Sequence, residues 1–174
     1  MGRAGNGSPR SLFMDSHEAG FESLLASAGL SFAARPAATL RPAVELFPGG
    51  RDPEAALAGL WLRWGDWARA HSIAQDIPTA EGSYWHAILH RQEPDPGNSA
   101  YWFRRVGRHA IFPALHTEAA RLGWSPAAEW DPIAFLDLYE HARKKGSAGE
   151  RSLVTAVEAA EWRLLFSWCV EPGA

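Results

Sequence analysis

At several places in this chain, Asp52-Pro53, Ser125-Pro126 and Asp131-Pro132 among them, a residue able to cap a helix stands directly before a proline. Proline at the first helical position gives up an N–H that has no partner there, and its φ is preset near the helical value. In a central strand the same residue removes a ladder hydrogen bond. The prolines and glycines therefore punctuate helices, and no stretch between them alternates β-branched with polar residues in the manner of half-buried strands. The expected fold class is all-α: a single compact, irregular helical bundle of about six or seven helices with a central αα-hairpin.

With 174 residues, 47% of them hydrophobic, the chain suits one domain with a real core. That domain is expected over residues 14–174, after a disordered tail over residues 1–13, which are rich in Gly, Ser and Arg and have little to bury. Translation can start at Met1 or at Met14. Nine tryptophans point to a core built on large rings, each burying roughly 150–250 Å².

Asp15 and Glu18 have capping-box spacing ahead of Phe21, Leu24, Leu25 and Ala28, with Gly29 as the stop. Pro36, Pro42 and Pro48 break the segment that follows into a connector, with one turn near Val44 to Phe47. Asp52-Pro53-Glu54 then opens a helix expected to reach Ile77, ~37 Å long at 1.5 Å per residue, which Pro78 closes. Leu57, Leu60, Trp61, Trp64, Ala68, His71 and Gln75 fall on one face of it, and Trp67 extends the stripe. Thr79 or Ser83 caps the next helix, which Glu93-Pro94-Asp95-Pro96-Gly97 must end. Asn98 or Ser99 caps its partner, and Gly107 supplies the left-handed stop. Helices follow from Phe112 to Gly123, from Ile133 to Gly146, and from the Ser147/Glu150 capping box through Leu153, Val157, Ala160, Leu164 and Trp168.

The ionisable and aromatic residues crowd between Glu81 and Gly107. His86 and His90 stand four apart, so both imidazoles project from one helix face, the spacing that lets two histidines share a metal such as zinc. Ala87 occupies the place where the zinc-protease motif carries its glutamate. Further ligands can come from His71, Gln75, Glu81 or Glu93. The alternative is that the histidines pair with Glu81, Glu93, Asp95 or a backbone carbonyl and only fix packing. Arg104 and Arg105, followed by Arg108, can grip a carboxylate or phosphate, or lock the hairpin against Glu93 and Asp95. Trp85 and Trp102, with Tyr84 and Tyr101, can wall a small-ligand pocket or fill a core. Two functional readings follow. One is a polar, aromatic-lined small-ligand site at residues 81–107 that uses Trp85, Trp102, Tyr101, Arg104, Arg105, Glu93 and Asp95, with a metal on His86, His90, His71 and Glu81. The other is a structural or protein-interaction module in which the same residues satisfy one another.

A formal charge of −3 argues against general nucleic-acid binding. Gly-x-Ser-x-Gly, phosphate-loop and dinucleotide fingerprints are absent from the sequence. The lone Cys169 has no disulfide partner, no apolar run is long enough to cross a bilayer, and the N-terminus lacks a secretory apolar core. A cytoplasmic protein is expected.

The run Tyr84-Trp85-His86, His90-Arg91, Glu93-Pro94-Asp95, Asn98 and Tyr101 to Gly107 resembles the hallmark of a family of uncharacterised, mostly bacterial proteins. The match covers the stretch well and the rest of the chain loosely, and it implies no mechanism. The histidine spacing is also similar to that of helical metalloenzymes related to DinB, although the remaining pattern differs. Tyr101 to Arg105 resembles the second helix of a tetratricopeptide or Sel1 repeat, but no second copy stands at that period.

Overall fold

A computed structural model describes residues 20, 22–23, 25–26, 30–31, 36, 42–125 and 128–173. One domain from residue 14 onward is expected from sequence; the chain is described as two compact units, residues 1–41 and 42–174, whose boundary falls inside the proline-broken connector. In the first unit Gly20, Glu22, Ser23, Leu25 and Ala26 are helical, and the Leu30 N–H donates to the Leu25 carbonyl at 2.8 Å. The expected Asp15–Glu18 cap, the Gly29 stop and the 1–13 tail lie outside the described residues.

The second unit is all-α, with eight helices and, among the described residues, no strand beyond an isolated Gly50–Pro172 bridge. They are α1 (Ala43–Leu46), α2 (Pro53–Arg63), α3 (Trp67–Ala74), α4 (Ala80–Gln92), α5 (Pro96–Val106), α6 (Phe112–Leu122), α7 (Pro132–Lys145) and α8 (Ala148–Val170). The local start signals behave as their chemistry dictates. Asp52 accepts from the Ala55 N–H at 3.1 Å, Asp131 from Ile133 and Ala134, and Ser147 and Glu150 close a complete capping box. Gly123 ends α6 in the left-handed region, and Gly107 ends α5 at a φ of 64°.

Two boundaries depart from expectation. The long helix from Pro53 to Ile77 breaks at Trp64–Asp66: Gly65 takes a φ of 75°, and Asp66 caps a new helix by accepting from the Arg69 N–H at 3.1 Å. A left-handed glycine followed by an aspartate cap ends one helix and begins another more effectively than an apolar stripe can continue through it. The stripe breaks with the helix, since Ala68 and Gln75 are exposed. In the hairpin, α5 is capped by Asp95 rather than Asn98 or Ser99. The Asp95 side chain accepts from the Asn98 N–H at 3.1 Å, and Pro96 takes the first helical position.

Helix α4 runs through the centre, buried without interruption from Gly82 to Arg91. Its Trp85 lies against Gly59 of α2, where an added Cβ would stand 2.5 Å from the indole, so glycine permits the close approach of α2 and α4. Thr79 joins the two helix starts, capping α4 through the Gly82 N–H and donating to Asp52 Oδ2 at 2.7 Å. The long α8 packs against α2, α6 and α7. Its C-terminal end is fastened to the start of α2 by Asp52 N–H to the Cys169 carbonyl at 3.0 Å and by Arg51, which lies 3.7 Å over the Trp168 ring. Among the described residues no helix is long and apolar enough to cross a membrane.

A candidate metal centre of three histidines

A helix buried all round cannot leave polar side chains unaccounted for. Helix α4 buries four that titrate or carry charge, Tyr84, His86, His90 and Arg91: the two histidines meet His71, and Tyr84 and Arg91 meet Glu161.

His86 and His90, one turn apart on α4, stack with ring centroids 4.8 Å apart. The break at Gly65–Asp66 sets α3 against this face and delivers His71, whose ring meets His86 edge-on at 4.5 Å and His90 at 5.4 Å. One ring nitrogen from each of the three lies within 4.8 Å of the others, and the Nε2 atoms of His71 and His86 are 2.9 Å apart. Tetrahedral zinc at 2.0–2.1 Å from each ligand requires nitrogens about 3.3–3.4 Å apart. That pair must open by about 0.4 Å, within the reach of small χ adjustments.

Each ring is held from behind. Trp67 stacks on His71 at 4.7 Å and is itself pinned by its N–H to the Leu89 carbonyl at 3.1 Å. Trp102 of α5 stacks on His86 at 4.1 Å. Glu93 Oε2 stands 3.3 Å from His90 Nδ1, an ion-pair distance without good hydrogen-bond alignment, since that nitrogen has no hydrogen-bond partner. Burial, and then the neighbouring rings of His71 and His90, push His86 down to about 4. Burial and His90 lower His71, against an opposing pull from Glu93. At neutral pH His71 and His86 are therefore uncharged, the form in which imidazole binds metal.

The residues named from sequence separate. Glu81 does not join the histidines: at the opposite end of α4 it accepts from Trp168 Nε1 at 2.7 Å and lies 3.6 Å from His109 Nε2. His109, outweighing burial and joined by Trp168, holds the Glu81 carboxyl down to about 2. Gln75 is exposed. Trp85 is fully buried in the core and walls nothing. Tyr101 is 50% exposed. Asp95 is occupied as the α5 cap. Arg104 and Arg105 make no ion pair with Glu93 or Asp95; Arg105 lies 5.2 Å over Trp102, and Arg108 pairs with Glu129 at 3.2 Å. The acidic turn faces His90 and its own helix start, whereas the arginines face outward along α5.

The ion pair that does lie in the core is one the spacing did not reveal. Arg91 Nη2 donates to Glu161 Oε2 at 2.5 Å and to Glu158 Oε1 at 3.1 Å, and the Tyr84 hydroxyl donates to Glu161 Oε1 at 2.9 Å. The guanidinium lies among the Phe135, Tyr139 and Phe103 rings, a cation–π environment. Burial pushes the Glu161 carboxyl up, while Arg91 and Tyr84 pull it back. The available signal was Glu161 itself, a charge among apolar neighbours on α8, but its partner stands 70 residues away.

Comparison of the chain with family models, curated proteins and solved structures gives no match.

Proposed function

We propose that this cytoplasmic helical domain binds a divalent transition metal, zinc foremost, through His71, His86 and His90, and that the metal and its aromatic surround form a small-ligand site on the α3, α4 and α5 face. The observation that carries this reading is the convergence of three ring nitrogens within 4.8 Å at a place where His86 is kept neutral. Imidazole donors suit zinc and its neighbours rather than calcium or magnesium, and three histidines leave a fourth position for water or a ligand. The site differs from the one expected over residues 81–107: Trp67 replaces Trp85 as a wall, Trp102 stays, and Glu81 leaves. Self-satisfaction is supported by the His71–His86 hydrogen-bond contact at 2.9 Å and by Glu93 at His90, but it does not extend to Arg104 and Arg105, which have no acidic partner among the described residues.

Metal analysis of untagged protein tests the reading. About one zinc per chain is expected, falling below about a tenth in His86→Gln, with far-UV circular dichroism unchanged. A wild-type protein that remains metal-free after incubation with zinc and dialysis refutes it.

A further inference from the structure

The three ligands bring no charge. Among the described residues no carboxylate or thiolate joins their group. Glu81 is committed to Trp168, Asp95 to the start of α5, and Glu93 lies beside His90, its Oε2 3.3 Å from Nδ1. The ligands themselves therefore neutralise none of the +2 charge of a divalent ion, and the nearest carboxylate is that of Glu93 at His90. Such an ion sits beside two buried histidines, 4% and 9% exposed, and against the rings of Trp67 and Trp102. Such surroundings disfavour an ion whose ligands leave its charge in place.

On the reading of the triad as a metal site, we infer that its fourth ligand is an exchangeable anion taken from solution, either hydroxide or a small oxyanion such as a carboxylate. Two further features agree. His71, Trp67 and Trp102 are only partly buried, so the cluster meets solvent on the α3 side. On α5, Arg105 lies 5.2 Å over the same indole that stacks on His86, and neither exposed Arg105 nor exposed Arg104 is spent on an ion pair. Arg105 thus sets a positive charge beside the indole that covers His86, across the cluster from the Glu93 carboxylate at His90, and it raises the local concentration of anions on the α5 side. A metal held by three neutral donors, with the Arg105 guanidinium beside the indole that covers one of them, favours an anionic partner.

The test is the visible spectrum of the Co(II)-loaded protein, recorded at fixed pH while azide, acetate or inorganic phosphate is added. The expected result is a saturable change in the cobalt bands with at least one of these anions. Arg105→Ala should weaken that anion severalfold at low salt and leave cobalt affinity unchanged. Cobalt bands that remain constant through all three titrations overturn the inference and leave the metal site standing. If no cobalt is retained, or if His71→Gln and His86→Gln retain as much as wild type, the metal reading fails and the inference falls with it.

Discussion

Removing the Glu161 carboxylate tests how α4, and with it the histidine pair, is held in place. In Glu161→Leu the Arg91 guanidinium stays fully buried and loses its contact at 2.5 Å. Breaking one side of a buried pair costs about 3–5 kcal/mol, because the surviving charge is left uncompensated. Glu158 still reaches Arg91 at 3.1 Å from a partly exposed position, which places the loss near the lower end. The stranded Tyr84 hydroxyl, donor to Glu161 at 2.9 Å, adds about 1 kcal/mol. The sum is about 4 kcal/mol, or a fall in Tm of roughly 12–20 °C for a unit of this size. The double variant Arg91→Met/Glu161→Leu, with no charge left to strand, should recover most of that loss. Urea unfolding followed by circular dichroism across the full double-mutant cycle measures both quantities. A Glu161→Leu protein within about 1 kcal/mol of wild type, or a double variant as unstable as the single, refutes the argument that the pair is desolvated and coupled.

Acid should act in two windows. The folded His86 pKa, about 4, lies below the unfolded value near 6.5, so the unfolded chain binds more protons between these limits and stability rises with pH there. The histidine contribution is complete above pH ~6.5 and is lost as pH falls toward 4, about 3 kcal/mol in all. Glu81, held near 2, contributes stability present above its unfolded value of about 4.5 and lost only below that. Urea midpoints measured from pH 7 to 3 should therefore decline first through His86, joined by His71, which is also lowered, and His86→Gln should make the upper window shallower and leave the lower one unchanged. Glu93→Ala should weaken zinc binding about 10-fold to 100-fold through the lost orientation of His90, read by competition with a chromophoric chelator; an unchanged Kd counts against that role. Gly59→Ala should cost about 1–3 kcal/mol by pushing α2 off Trp85, measured as a lower urea midpoint with an unchanged slope.

What could be read in advance followed the range of each interaction. Asp52-Pro53, Asp131-Pro132 and the Ser147/Glu150 box act within four residues, and the helices begin where those residues place them. The hairpin follows from the prolines and glycine of its turn, and the meeting of His71 with His86 and His90 follows from placing the polar end of one helix beside the next. The break at Gly65–Asp66 was equally local, but an apolar stripe running across it carried more weight than a glycine and a cap. Arg91 with Glu161, and Glu81 with His109 and Trp168, join residues 28 to 87 positions apart. No periodicity in a single sequence marks such pairs. Arg104 and Arg105 teach the converse: nearness in sequence to Glu93 and Asp95 did not make them partners, because Asp95 was already committed to its helix end.

The same break at Gly65 divides the histidines in time as well as in space. His86 and His90 belong to α4, which cannot shift without opening the whole core. His71 belongs to an eight-residue helix that buries only Ala70 and Ala74 and rests on α4 through Trp67. On the proposed metal reading, His86 and His90 would then be the fixed ligands and His71 the retractable one. Exchange of an ion held there would be governed by the local lifting of α3, so its residence time should respond to the Asp66 cap and the Trp67–Leu89 hydrogen bond while the global stability of the domain stays where it was.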